Sequence, residues 1–81
     1  MSEKPVTDRI NAIIADQLGI EISEVTPEAR LKQDLGADSI DMVELFVALE
    51  EEFNQDIPDK DASKMKTVGE VIDYFGRVIE S

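Results

Sequence analysis

Residues 39–53 read SIDMVELFVALEEEF, and this stretch decides the fold. At about 100° per residue, its larger apolar set falls on one side of a helix. That set consists of Met42, Leu45, Phe46, Leu49 and Phe53. Asp38 comes directly before the stretch, and Asp is among the preferred residues for capping a helix N-terminus. We therefore predict a helix from Ser39 to Phe53 whose apolar side faces a core.

A second apolar stripe runs along the same helix. Ile40, Val43 and Val47 are centred about 160° from the first set by the same geometry. Carboxylates border this stripe, namely Glu44, Glu51 and Glu50. A helix surrounded by its neighbours would bury both sides, but so small a bundle rarely surrounds a helix. We therefore expect an exposed apolar patch rimmed by acids, which is the usual composition of a docking surface for a basic partner.

Three more segments are predicted to be helical. Apolar residues recur at helical spacing from Val6 to Leu18, where Gly19 can end the helix. Pro58 interrupts the chain, and a single turn from Asp59 to about Lys64 follows. Thr67 and Glu70 form a capping-box pattern before the last helix. Its predicted buried stripe comprises Val68, Val71, Ile72, Phe75, Val78 and Ile79.

The first connection is a loop of about twenty residues, which is long for a compact domain. Ile22, Val25, Leu31 and Leu35 are spaced along it, and we expect all four to hold the loop against the core. With no convincing strand pattern anywhere, the predicted fold is all-α: a small four-helix bundle with one short helix.

Composition narrows the function. The 81 residues fit one domain, residues 1–81, and carry a formal net charge of −11 from 19 acidic and 8 basic side chains. Ten of those acids, but only one base, Lys60, lie between Asp34 and Asp61. Such a chain repels nucleic acid and anionic membranes and attracts basic partners. There is no cysteine, signal peptide or membrane-spanning segment, so we expect a cytoplasmic protein. We also expect it to be a monomer.

Ser39 is the candidate reactive residue of the chain. It stands at the positive end of the predicted helix, where backbone N–H groups and the helix dipole favour an attached anion such as a phosphodiester. A nucleophilic serine needs a base, and the chain has no histidine. We therefore expect no catalytic residue and no enzyme activity. Spacing alone leaves Ser39 as a helix-capping serine.

A resemblance adds what spacing leaves open. The run DLGADSID at residues 34–41, continued by Val43-Glu44-Leu45 and ALEEEF at residues 48–53, resembles the acyl carrier protein family. The similarity continues through Ile57-Pro58-Asp59 to Thr67-Val68, Ile72 and Tyr74. It is close from Asp34 to Asp59 and looser before Leu31.

The resemblance implies that Ser39 receives 4′-phosphopantetheine from coenzyme A through a Mg²⁺-dependent phosphopantetheinyl transferase. The arm's thiol would then carry acyl groups as thioesters. Partner enzymes with Arg and Lys would dock on the second helix, at Asp38, Ile40, Asp41, Val43, Glu44 and Val47. The bundle interior would shelter the acyl chain, with a lining of Phe46, Leu49, Ile57, Ala62, Met65, Val68 and Tyr74.

The resemblance favours a stand-alone carrier serving separate enzymes of fatty acid biosynthesis. A carrier for polyketides, a specialised acyl chain or an aminoacyl group is the nearest alternative. A different class of function is a non-covalent acidic adaptor or ion-binding domain, in which Asp59, Asp61 and residues 50–52 gather Ca²⁺ or Mg²⁺. No twelve-residue calcium loop is present, so we predict no built metal site.

Overall fold

The computed structural model describes the backbone of residues 5–80 and the side chains of residues 5–78. Four α-helices lie within this range: α1 (Val6–Leu18), α2 (Ser39–Phe53), α3 (Asp59–Ala62) and α4 (Val68–Glu80). A 3₁₀ helix, Ile22–Glu24, follows α1. The described residues contain no β-strand, so the all-α prediction is confirmed. None of the described helices has the length and apolar character needed to cross a membrane.

The core lies where α1 packs against α2 and α4. Its fully buried side chains come from every long helix and from the loop before α2. They are Ile10, Ile14, Leu31, Leu45, Leu49, Val68, Val71 and Phe75. The predicted core side of α2 is confirmed, with Met42 and Phe53 half-buried at its edges. Burying this apolar surface is the main term that stabilises so small a domain.

An ion pair and an aromatic stack join three helices at one end. Arg9 of α1 donates to the Glu52 carboxylate at 2.8 Å. Its guanidinium lies 4.6 Å from the centre of the Phe53 ring, and Phe53 lies 5.0 Å from Phe75 of α4. The ion pair is partly solvated, so the stacked apolar surface contributes more to stability than the charges do.

The loop between α1 and α2, residues 19–38, is more ordered than its length suggests. Gly19 ends α1 with a φ of 68°, as predicted for a left-handed cap. Val25 and Leu31 are buried and Leu35 packs against the core, so three of the four predicted anchors are confirmed. The prediction for Ile22 is wrong, because its side chain is 56% exposed. Ile20 and Val25 reach the core on either side of the 3₁₀ helix, and Ile22 faces outward on that turn.

Backbone hydrogen bonds tie this loop to the start of α4. The Leu31 N–H donates to the Lys66 carbonyl at 2.9 Å, beside an antiparallel bridge between Arg30 and Thr67. The Val68 N–H donates to the Ala29 carbonyl at 3.0 Å. These bonds satisfy backbone groups that a loop packed against a core otherwise leaves without partners.

The capping box of α4 is confirmed. The Glu70 N–H donates to the Thr67 hydroxyl at 3.2 Å, and the Glu70 carboxylate accepts from the Lys66 and Thr67 N–H groups at 2.7 and 3.1 Å. These backbone donors are the main reason why the pKa of Glu70 lies below its ordinary value.

Two predicted helix features need correction. α3 ends at Ala62 rather than near Lys64, because the chain continues in turns that place Met65 in the core. Val78 is 37% exposed, not buried, since it lies one turn beyond Phe75, where the packing surface ends. The predicted burial of Ile79 lies outside the described side chains.

Candidate functional site

Ser39 is the first residue of α2, as predicted. Asp38 caps the helix by accepting the Asp41 N–H at 2.8 Å, and the Asp41 carboxylate accepts the Asp38 N–H at 3.2 Å. The usual capping-box pattern has Glu or Gln at the third helical position. Here Asp41 stands at that position and makes the same hydrogen bond. Because Asp38 already provides the cap, the Ser39 hydroxyl is not needed for it.

The Ser39 hydroxyl is free to carry a group. The residue is exposed, and among residues 5–78 its side chain makes no hydrogen bond. The N–H groups of Ser39 and Ile40, at the start of the helix, likewise have no partner within the described residues. Gly36 adopts a φ of 77°, in the left-handed region, in the turn before α2. These features fit an attached phosphodiester.

Backbone bonds position this end of α2. Ala37 is buried, and its N–H donates to the Leu31 carbonyl at 3.0 Å. Leu31 is the residue whose own N–H is bonded to Lys66. The approach to Ser39 is therefore fixed to the start of α4 through a single buried residue, Leu31.

The second apolar stripe of α2, hereafter the exposed stripe, lies on the surface. Ile40, Val43 and Val47 are 67, 64 and 45% exposed. Glu44 and Glu51 are exposed beside it, and Asp41 is half-buried in its capping role. The expectation of a solvent-facing apolar patch is confirmed, with exposed acids at Glu44 and Glu51, whereas the third predicted border acid, Glu50, is half-buried. The use of this patch for docking stays a prediction.

A cleft of about 730 Å³ opens beside the exposed stripe, between α2 and the chain from Ile57 to Lys66. Its apolar lining comprises Met42, Val43, Phe46, Val47, Ile57, Ala62 and Met65. Four of the seven predicted lining residues are in this set: Phe46, Ile57, Ala62 and Met65. Val43 and Val47 belong to both surfaces, so the cleft and the exposed stripe are continuous.

The other three predicted lining residues do not line this cleft, and their part in sheltering an acyl chain stays a prediction. Leu49 and Val68 are fully buried in the core and do not reach the cleft. Tyr74 points to the other side of α3, where its hydroxyl donates to the Asp61 carboxylate at 3.2 Å. Burial, and secondly this hydrogen bond to a carboxylate, raise the pKa of Tyr74 above its ordinary value. Residue type alone did not distinguish a core position from a cleft position.

Glu50 has a structural role that sequence reasoning missed. Its carboxylate turns inward and accepts the Ile57 N–H at 2.7 Å, while it also lines the cleft. The bond connects the end of α2 to the residue before Pro58. Seven residues separate the partners, which matches no local capping pattern, so the sequence carried no signal for it.

The acids proposed for an ion site are not gathered into one. Glu50 accepts from Ile57, Glu52 pairs with Arg9, and Asp61 accepts from Tyr74. Among the described residues, no group of three or more acidic side chains is arranged to hold a metal ion.

Known proteins match nearly the whole chain. The family described as "Phosphopantetheine attachment site" matches residues 8–75. An acyl carrier protein of Thermosynechococcus vestitus is 46% identical over 79 residues, covering 98% of each chain. An acyl carrier protein of Rubrobacter xylanophilus is 50% identical over 74 residues, covering 91% of each. The matched span includes the start of α2, the exposed stripe and the cleft.

Proposed function

This chain belongs to the acyl carrier protein family, and from that premise we propose that it shuttles acyl chains between enzymes of fatty acid biosynthesis from an arm attached to Ser39. Its cofactor is covalently attached 4′-phosphopantetheine, whose thiol supplies the thioester bond to the cargo. The observation that carries the assignment to Ser39 is its exposed hydroxyl, which opens α2 without serving as its cap.

The residues around Ser39 hold and orient the arm. The N–H groups of Ser39 and Ile40 are available to the phosphodiester, and the positive end of the helix dipole favours its charge. The buried Ala37 and Leu31 fix the attachment point, so the arm starts from one defined position.

Partner enzymes dock, on this proposal, at the exposed stripe. Ile40, Val43 and Val47 supply the apolar contact, and Asp38, Asp41 and Glu44 attract Arg and Lys of the partner. The phosphopantetheinyl transferase uses the same surface, since Ser39 lies at its end. The net charge of −11 opposes self-association, which supports a monomeric carrier. On this proposal residues 1–81 form one domain, and the carrier works in the cytoplasm.

The cleft is the proposed shelter for a growing acyl chain. Phe46, Ile57, Ala62 and Met65 give it apolar walls, and its volume of about 730 Å³ is in the range of small-molecule sites. Met65 and Met42 can adjust to chains of different length because methionine is flexible.

Intact-mass analysis tests the attachment. The apo protein is incubated with coenzyme A, Mg²⁺ and a phosphopantetheinyl transferase. We expect wild type and Ser23→Ala, an exposed control serine, to gain one phosphopantetheine, and Ser39→Ala to gain none. An unmodified wild type beside an active transferase control would refute the carrier assignment.

Association kinetics test the docking surface. Charge reversal Glu44→Lys should slow association with a basic partner enzyme several-fold and weaken its salt dependence. Glu28→Lys, an exposed control in the α1–α2 loop, should have a much smaller effect. Equal rates for the two variants would place the interface elsewhere.

The pathway is tested on material from the native source. Mass analysis of its thioesters should show saturated and partly processed fatty acyl groups. Polyketide, modified acyl or aminoacyl cargo would assign the chain to a specialised pathway instead.

A further inference from the structure

Positive charge collects at one end of the cleft. Three of the eight basic residues of the chain, Arg30, Lys32 and Lys66, line it, although the chain as a whole carries a net charge of −11. Arg30 pairs with Asp34 at 3.3 Å, whereas Lys32 and Lys66 have no ion-pair partner among the described residues. We call these three residues the cationic end.

Backbone hydrogen bonds connect the cationic end to the residues that lead to Ser39. The Leu31 N–H is bonded to the Lys66 carbonyl and the Leu31 carbonyl to the Ala37 N–H, so Lys32 and Lys66 flank the residue that fixes the approach to α2. The cleft's two acids are Glu50 and Asp59, and Glu50, bonded to Ile57, lies near the C-terminal end of α2, away from Ser39. We therefore expect an arm that starts at Ser39 to meet the cationic end as it enters the cleft.

An anion on this arm needs a cationic partner. Asp38 and Asp41 already place two carboxylates beside Ser39, and a phosphodiester there adds another negative charge. Repulsion from these carboxylates opposes the attraction of the helix N-terminus. All three residues of the cationic end are exposed, and a charge pair near a protein surface interacts more strongly than one in bulk water.

We propose that Arg30, Lys32 and Lys66 form a binding site for an anionic group carried by the arm on Ser39. The group is either the phosphodiester of the arm or a carboxylate on the acyl cargo. Both are acceptors for Lys and Arg, and either contact holds the arm on the cleft side of α2. This inference rests on the proposed function, in which Ser39 carries the arm. It adds that the cleft favours anionic groups on that arm.

The test loads the protein with two acyl groups of the same carbon number. A phosphopantetheinyl transferase transfers the arm from butanoyl- or succinyl-coenzyme A, and intact mass confirms loading. Thermal unfolding and the phosphorus NMR shift of the arm are then measured for wild type and Lys32→Gln/Lys66→Gln. The control is Lys60→Gln/Lys64→Gln, which removes the same charge from lysines outside the cleft.

If the cargo carboxylate is bound, succinyl wild type melts about 2–5 °C above butanoyl wild type. The gap persists in the control and disappears in Lys32→Gln/Lys66→Gln. If the phosphodiester is bound, the two acyl forms melt alike, but Lys32→Gln/Lys66→Gln moves the phosphorus resonance and the control does not.

Equal melting together with an unmoved resonance overturns the inference and leaves the carrier assignment intact, because the arm has been attached. A succinyl form that melts lower in wild type, with no difference between the two double variants, also overturns it, since self-repulsion then outweighs any local attraction. A wild type that accepts no arm refutes the proposed function, and this inference fails with it.

Discussion

The two walls flanking the cleft are held to the molecule in different ways. The α1–α2 loop is joined to residues 66–69 by backbone hydrogen bonds: the Pro27 and Ala29 carbonyls accept from the start of α4, and the N–H of the fully buried Leu31 donates to the Lys66 carbonyl. The α3 wall, residues 57–65, buries Ile57 and Met65 but has no side chain that is fully buried, and two side-chain hydrogen bonds hold it, from the Ile57 N–H to Glu50 and from the Tyr74 hydroxyl to Asp61. Regions with few buried contacts open at lower free energy. We therefore expect the loop wall, which leads to Ser39, to be the fixed wall of the cleft and the α3 wall to be the yielding one.

Leu31→Ala tests the fixed wall and should have the largest effect. Removing a fully buried leucine leaves a cavity and should lower the free energy of unfolding by about 2–5 kcal/mol. Urea unfolding measures the loss. Ile22→Ala, at an exposed position of the same loop, is the control and should change stability far less. A Leu31 loss no greater than the control's would show that the wall is not anchored there.

Glu50→Ala tests the yielding wall. It removes the carboxylate that accepts the Ile57 N–H and should cost about 1–2 kcal/mol. Hydrogen exchange should quicken at Ile57 and through α3, while the amides of Leu31 and Val68 change only by the global loss. Glu51→Ala makes the same helix substitution without this bond. If exchange quickened equally at Ile57, in α3, at Leu31 and at Val68, the two walls would open as one unit.

Tyr74→Phe should have a smaller effect on the same wall. It removes the hydroxyl that donates to Asp61 but keeps the ring, so the expected loss is about 0.5–1 kcal/mol. Exchange at Asp61 and Ala62 reports the local change. Asp61→Asn provides a second route to the same contact. If the double variant lost the sum of the two single losses, the residues would not be coupled.

Glu70→Gln should have the smallest effect, and the effect depends on pH. The pKa of Glu70 is lowered in the folded protein, so its ionised form adds stability above the ordinary value of 4.5. That contribution is lost as pH falls through the lowered folded value. Wild type should therefore exceed Glu70→Gln in stability at pH 7, and the gap should close in acid. A gap that stays constant with pH in urea titrations would contradict the assignment.

Local patterns predicted the helices because their signals are local. The apolar spacing of residues 39–53, Gly19 after Leu18, and Thr67 with Glu70 each depend on neighbours within a few positions. The predictions that failed depended on long-range packing. Ile22 and Val78 have apolar side chains at suitable spacing, but tertiary packing leaves Ile22 facing outward on the 3₁₀ turn and Val78 partly exposed.

The candidate site divides in the same way. The sequence indicated Ser39, the exposed stripe and, among seven residues predicted to line an acyl cavity, four that line the cleft. It did not indicate that Glu50 turns inward to Ile57, because the partners are seven residues apart and follow no repeating pattern. Nor did it indicate that Tyr74 faces Asp61 rather than the cleft, since an aromatic residue on an apolar stripe suits both environments.

By itself, the sequence determined four helical segments, an acidic chain without histidine or cysteine, and a serine at the start of the helix with two apolar sides. Periodicity, capping and charge are properties of neighbouring residues, so they can be read in one dimension. Only the tertiary structure decided which apolar residues line the cleft, which acids hold α3, and that Arg30, Lys32 and Lys66 line the same cleft. These contacts involve residues that are far apart in the sequence, and Arg30 and Lys66 are separated by 36 positions. Only packing and backbone pairing bring such residues together.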